Sequence, residues 1–129
     1  MQAATIRWPG GEHAFRLGIA ELEVIQQKTQ CGPEYLLHKL NTGQWFAVEL
    51  IEVLRNGLIG GGLPHVEALK LVRNAFELHD LISFKVPVQE VLSVCLYGPA
   101  DDPVGEDQPV MPTPENEQTA AGSSAPTTD

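Results

Sequence analysis

The sequence predicts a mainly α protein with a small N-terminal β-hairpin, an α+β chain built as a compact bundle of four to five short helices. Three features predict it. The apolar period is two up to about Leu17 and helical after it. The stretch Trp45 to Gly62, WFAVELIEVLRNGLIGGG, is the longest strongly amphipathic segment and closes on three consecutive glycines. Beyond Tyr97 the aromatic residues stop and Pro, Ser, Thr and acids take over, a composition that buries too little apolar surface to offset the entropy of ordering. A helical domain over 1–98 and a disordered acidic tail over 99–129 are therefore expected.

At the N-terminus Ile6 and Trp8 share a face, as do Phe15 and Leu17, with Thr5, Arg7 and Arg16 opposite. Pro9-Gly10-Gly11-Glu12 supplies turn residues between them. A hairpin alone is barely stable in water, so its apolar face should rest on helices. From Ile19 a helix is expected to turn Ile19, Leu22, Ile25 and Gln26 to one side and to stop at Cys31-Gly32-Pro33. Pro33 then opens PEYLLHKL, with Glu34 in the first turn and Asn41-Thr42-Gly43 at its end. Thr42 or Gly43 is read as the cap of the next helix.

That next helix organises the rest. At about 100° per residue, Phe46, Ala47, Leu50, Ile51, Val53, Leu54 and Leu58 form a broad apolar side, while Glu49, Glu52 and Asn56 fall opposite on what reads as a solvated flank. So wide a stripe needs cover from several neighbours, which places this helix at the centre. Gly60, Gly61 and Gly62 end it in a hinge or tight elbow. Pro64 starts a helix to Leu81 whose apolar half is Leu69, Leu71, Val72, Ala75, Phe76 and Leu78. LISFKVP reads as an extended connector, and Pro87 begins the last helix, closed by Gly98-Pro99.

The charge narrows the range of functions. The chain has 129 residues and a formal net charge of −9, of which seven acidic residues and no Lys or Arg lie from Gly98 onward. The preceding part balances ten acids against eight bases. Neither part carries the clustered Lys and Arg of a nucleic-acid surface, and no apolar run is long enough to span a bilayer. No secretory signal pattern is present, so a cytoplasmic location is expected.

Chemistry is thin. His13, His38, His65 and His79 are scattered, with no pair at i, i+4, and Cys31 and Cys95 stand apart without a Cys-x-x-Cys motif. The glycine run follows a helix and precedes Leu-Pro-His, so it is not a phosphate loop. No catalytic residue, metal ligand or cofactor is expected, and a binding module outranks an enzyme. Trp45, Val48 and Ile59 project beside the main stripe. Trp45 reads either as a lid on a neighbouring hairpin or as an interface anchor, where Trp is enriched.

The strand pair ending Phe15-Arg-Leu-Gly18, the helix start Ile19-Ala-Glu-Leu-Glu23, the run Ile51 to Gly62 and Glu67-Ala-Leu-Lys-Leu-Val72 together carry a resemblance. Over roughly the first 97 residues the chain resembles the small gene-transfer-agent-type phage tail assembly chaperones of prophages and related particles. Its most specific element is Gly57-Leu-Ile-Gly-Gly-Gly62. The resemblance implies a non-catalytic protein of the bacterial cytoplasm that binds the tape measure protein and keeps it soluble until tail tube subunits polymerise around it. Family members of longer-tailed phages are sometimes also made in a frameshift-extended form. Self-association or repeated binding along one client is expected, with Trp45, Val48, Leu58, Ile59, Gly60, Gly61 and Gly62 as the contact region. Two alternatives are a structural tail component of the particle and a regulatory adaptor that uses the acidic tail against a basic partner.

Overall fold

The computed structural model describes residues 2–99, and the acidic segment expected to be disordered lies outside the described residues. β1 (Ala4–Trp8) and β2 (Gly11–Phe15) form an antiparallel hairpin, with Trp8 paired to Gly11 across a two-residue Pro9-Gly10 turn. Among the described residues five α-helices follow: α1 (Ile19–Thr29), α2 (Pro33–Thr42), α3 (Ala47–Gly60), α4 (His65–Leu78) and α5 (Lys85–Tyr97). The mainly helical class with an N-terminal hairpin is what the change of period specifies.

The hairpin lays its apolar face on the helices. Ile6, Trp8, Phe15 and Leu17 are all buried. Trp8 meets Phe15 edge to face at 5.9 Å between ring centroids, and its indole N–H donates to His13 Nδ1 at 2.9 Å. On its other side Trp8 tilts against Phe84, and Phe84 stacks on Phe76 at 3.9 Å. Edge-to-face and offset contacts of this kind add to the area that the rings bury.

Phe84 also explains where the connector departs from expectation. Residues Leu81–Phe84 form a 3₁₀ turn rather than an extended link, which swings Phe84 into the core at zero exposure. The α5 helix then begins at Lys85, two residues ahead of Pro87. Proline is accepted there because first-turn N–H groups have no helical acceptor. The α4 helix stops at Leu78, with His79 extended, instead of running to Leu81.

In α1, Ile25 is buried and Leu22 half-buried, but Ile19 is 71% exposed and Gln26 is exposed. Gly18 caps this helix, and the Glu21 carboxylate accepts its N–H at 2.8 Å. Gly43 ends α2 in the left-handed region at φ 76°, and Phe46, not Thr42 or Gly43, caps α3. An added Cβ at Gly43 meets nothing within 4 Å. Gly43→Ala is therefore expected to lower stability by about 1 kcal/mol through backbone strain alone, measurable as a small drop in urea midpoint with unchanged slope.

The α3 helix is central, packed by α1, α4, α5 and β2. Leu50, Val53, Leu54 and Leu58 are at most 1% exposed, Ile51 is half-buried, and Phe46 and Ala47 at the first turn are exposed. The expected solvated flank is absent. Glu49, Glu52 and Asn56 are 4%, 8% and 3% exposed. A helix covered on every side buries its polar residues too, and these find partners inside the fold rather than water.

Candidate functional site

The residues expected to form one contact region divide between the two ends of α3. Trp45 and Val48 lie at its start and Leu58 to Gly62 at its finish. A rise of about 1.5 Å per residue separates Val48 from Gly60 by roughly 18 Å. The two groups are therefore separate patches along one helix, not a single cluster.

At the far end the glycines are spent on internal packing. Leu58 is 1% exposed and belongs to the core, and Ile59 is half-buried against it. The Arg16 N–H donates to the Gly57 carbonyl at 2.9 Å, which draws the residue after β2 onto α3. A Cβ on Gly60 would overlap the Arg16 carbonyl oxygen, and one on Gly61 the Ala14 carbonyl oxygen; on Gly57 it would stand 2.8 Å from Phe15 Cδ2. The run is thus a bare helix end on which the hairpin backbone sits. Gly62, exposed and at φ 118°, is the one that turns the chain. A hinge at Gly60 or Gly61 is replaced by a fixed junction.

The near end is an elbow between α2 and α3, and it holds the polar residues that the helical period misplaces. Lys39 of α2 and Glu49 of α3 form a buried ion pair, their side chains 10% and 5% exposed. Glu49 uses its other oxygen to accept the Phe46 N–H at 2.8 Å, capping α3. Cys31 lies against the pair, its Sγ 3.8 Å from Glu49 Oε2 and 4.0 Å from Lys39 Nζ. The Lys39 ammonium also faces the Phe46 ring at 4.7 Å and the Tyr35 ring at 5.7 Å. Its hydrogen bond to Glu49 holds the Lys39 ammonium above the usual lysine range, against the opposing effect of burial.

Over this buried charge the surface is aromatic and aliphatic. Phe46 is 64% exposed, Tyr35 55% and Val48 48%. Trp45 is half-buried and closes the gap between α2, α3 and α5, lining it with Leu36, Leu40, Leu50, Val88 and Leu92. It covers helices, not the hairpin. Phe46, assigned to the apolar stripe by period, leads this surface because the chain is still extended at the cap.

One turn further along α3, Glu52 accepts Arg55 Nη2 at 2.6 Å and Asn56 Nδ2 at 3.2 Å. This ladder ties a polar flank to itself. Both cysteines are free, Cys31 buried and Cys95 half-buried, and burial pushes the Cys95 thiol up. Among the described residues no group of three His, Cys, Asp or Glu side chains is placed to hold a metal ion. Among them, too, no helix is long and apolar enough to cross a membrane.

No curated protein and no solved structure matches the chain. A family model does match, that of the phage tail tube protein, GTA-gp10, over residues 2–98. With more than half of the sequence matched, including the hairpin and all five helices, the chain belongs to this phage and gene-transfer-agent tail family.

Proposed function

We propose that this chain is a non-catalytic protein of phage-type tail morphogenesis that works by binding another tail protein. The observation that carries this reading is the extent of the family match, which takes in the hairpin and every described helix. Whatever the family does is then the work of this domain. The family description speaks of the tail tube, and this supports first a structural role: a component of the tail of a phage or gene-transfer particle, meeting tube subunits through apolar side chains left outside the core. Mass spectrometry of purified particles tests it. Recovery at a fixed ratio to the other tail proteins is expected, and absence from particles that assemble normally would overturn it.

A second reading is the tail assembly chaperone that binds the tape measure protein and keeps it soluble in the host cytoplasm. It is favoured by the exposed apolar surface of the α2–α3 elbow, Tyr35, Phe46 and Val48. A long amphipathic client helix can be covered by such a surface through helix-in-groove packing. Co-expression with the tape measure protein of the same gene cluster should then raise the client's soluble yield. Val48→Glu, at an exposed helical position, should reduce that yield while leaving the circular dichroism of the chain unchanged. An insoluble client beside a folded partner would leave the structural role alone.

A further inference from the structure

A thiol, an amine and a carboxylate meet beneath the α2–α3 elbow. The Lys39 ammonium donates towards Cys31 Sγ at 4.0 Å, the Cys31 thiol donates towards Glu49 Oε2 at 3.8 Å, and Lys39 pairs with that same carboxylate oxygen. Each group touches the other two. The sulfur comes from the junction of α1 and α2, the amine from the last turn of α2 and the carboxylate from the first turn of α3, so the folded chain is what assembles them. The ion pair and the α3 cap need Lys39 and Glu49 but not the thiol.

The cluster also lies just under the surface. Cys31 keeps 8% and the Lys39 side chain 10% of its area exposed, which puts the sulfur within reach of an oxidant as small as hydrogen peroxide. A sulfenic acid formed there would have a nitrogen nucleophile already beside it, and such acids condense with neighbouring nitrogen. Proximity of this kind stands in for a high concentration of amine.

We propose that Cys31 and Lys39 are a modification site, joined by a covalent sulfur-to-nitrogen link, a sulfenamide, when the protein meets hydrogen peroxide. Glu49 takes the thiol proton, and the thiolate attacks one peroxide oxygen. The O–O bond breaks with its electron pair on the departing oxygen, which takes the proton from Glu49 and leaves as water. Sulfur is oxidised by two electrons to the sulfenic acid, and the peroxide is reduced. Lys39 then gives a proton to Glu49 and attacks the sulfur with its nitrogen lone pair. The S–N bond forms, the S–O bond breaks, and the hydroxyl leaves with an amine hydrogen as a second water. One thiol, one ammonium and one peroxide become one sulfenamide, two waters and a proton that Glu49 passes to solvent. Because Glu49 holds the Lys39 ammonium charged, attack by the amine is the slower step.

The link replaces a buried ammonium by an uncharged nitrogen. Glu49 then has lost its cation, and the charge facing Phe46 and Tyr35 is gone. Oxidation thus acts where the exposed aromatic rings of the elbow are seated. It does so whichever tail protein the chain meets.

Tryptic mapping of the full chain after brief exposure to dilute hydrogen peroxide, with remaining thiols blocked, tests this. The unmodified chain is cut after Lys28, Lys39 and Arg55. After oxidation the cut at Lys39 is expected to disappear, leaving peptide 29–55 two hydrogens lighter than its unlinked form, and dithiothreitol should restore both mass and cut. The same treatment in urea should give at least about 10-fold less linked peptide, since unfolding removes the proximity. Cys31→Ser should give none. Lys39→Arg keeps a cation for Glu49, and with its fold checked by circular dichroism it should stop at a sulfenic acid that dimedone captures. Cys31 left unreacted, Cys31 carrying added oxygen while the cut after Lys39 persists, or a linked peptide formed equally well in urea would each overturn the proposal.

Discussion

Replacing Gly61 or Gly60 by alanine is expected to destabilise the domain by about 3 kcal/mol, well beyond the usual cost of a surface substitution. At both positions the new Cβ would lie under 3.0 Å from a backbone carbonyl oxygen, of Ala14 for Gly61 and of Arg16 for Gly60. A side chain can rotate away from a clash, but this carbonyl is fixed by the hairpin register and by the hydrogen bond from Arg16 to Gly57. The hairpin must therefore lift off α3, taking buried Phe15 and Leu17 with it. Gly62→Ala provides the comparison: its added Cβ meets nothing within 4 Å, and the position is strained only by φ 118°, a cost of about 1 kcal/mol. Urea unfolding followed through the fluorescence of buried Trp8 measures both. Equal losses at Gly61 and Gly62 would mean that the glycines serve as a turn and not as the seat of the hairpin.

The same residues show what the sequence discloses and what it hides. Hairpin, helices and the central place of α3 are legible because period and width of an apolar stripe are local properties. The run Gly60-Gly61-Gly62 is legible as a helix end. Its use is not, because which backbone approaches a glycine depends on tertiary packing. Phe84 illustrates the reverse error. LISFKVP has no polar helical face, which argues for a link, yet a buried aromatic needs only a tight turn to reach the core, and the stack on Phe76 rewards it. Glu49 and Glu52 fail for a third reason. Charge on a helix flank reads as exposure unless its burial is known: for Glu49 the cation, Lys39, arrives from another helix, while Glu52 is held by Arg55 and Asn56 of α3 itself beneath its packing neighbours. For the candidate site the consequence is direct: of the residues expected to bind, Val48 is an exposed aliphatic while Leu58 is core. Phe46 and Tyr35, on either side of Lys39, come to light only once α2 and α3 are seen to meet.

Lys39→Met should cost about 3–5 kcal/mol, since it leaves the Glu49 carboxylate buried without its cation. Glu49→Gln should be costly for the converse reason, although its amide oxygen can still accept the Phe46 N–H and keep the α3 cap. The double variant is expected to lose much less than the sum of the two, because removing both charges removes the burial penalty along with the attraction. Additive losses would show that the pair is not coupled. The pH dependence gives an independent check, with its sign fixed by the direction of the shift. The Lys39 ammonium is held above the ordinary lysine value in the folded protein by the Glu49 carboxylate. The unfolded chain therefore loses this proton first as pH rises. The contribution to stability is fully present below the ordinary lysine pKa of about 10.4 and falls away as pH climbs through the higher folded value. Urea midpoints from about pH 8 to about pH 11.5 should thus fall more steeply for the wild-type chain than for Lys39→Met, the difference isolating this lysine from the other groups that titrate there. Parallel curves would mean that the ammonium is as well solvated as any surface lysine. The cation beneath Tyr35 and Phe46 would then not be what holds the elbow's exposed aromatic surface in place.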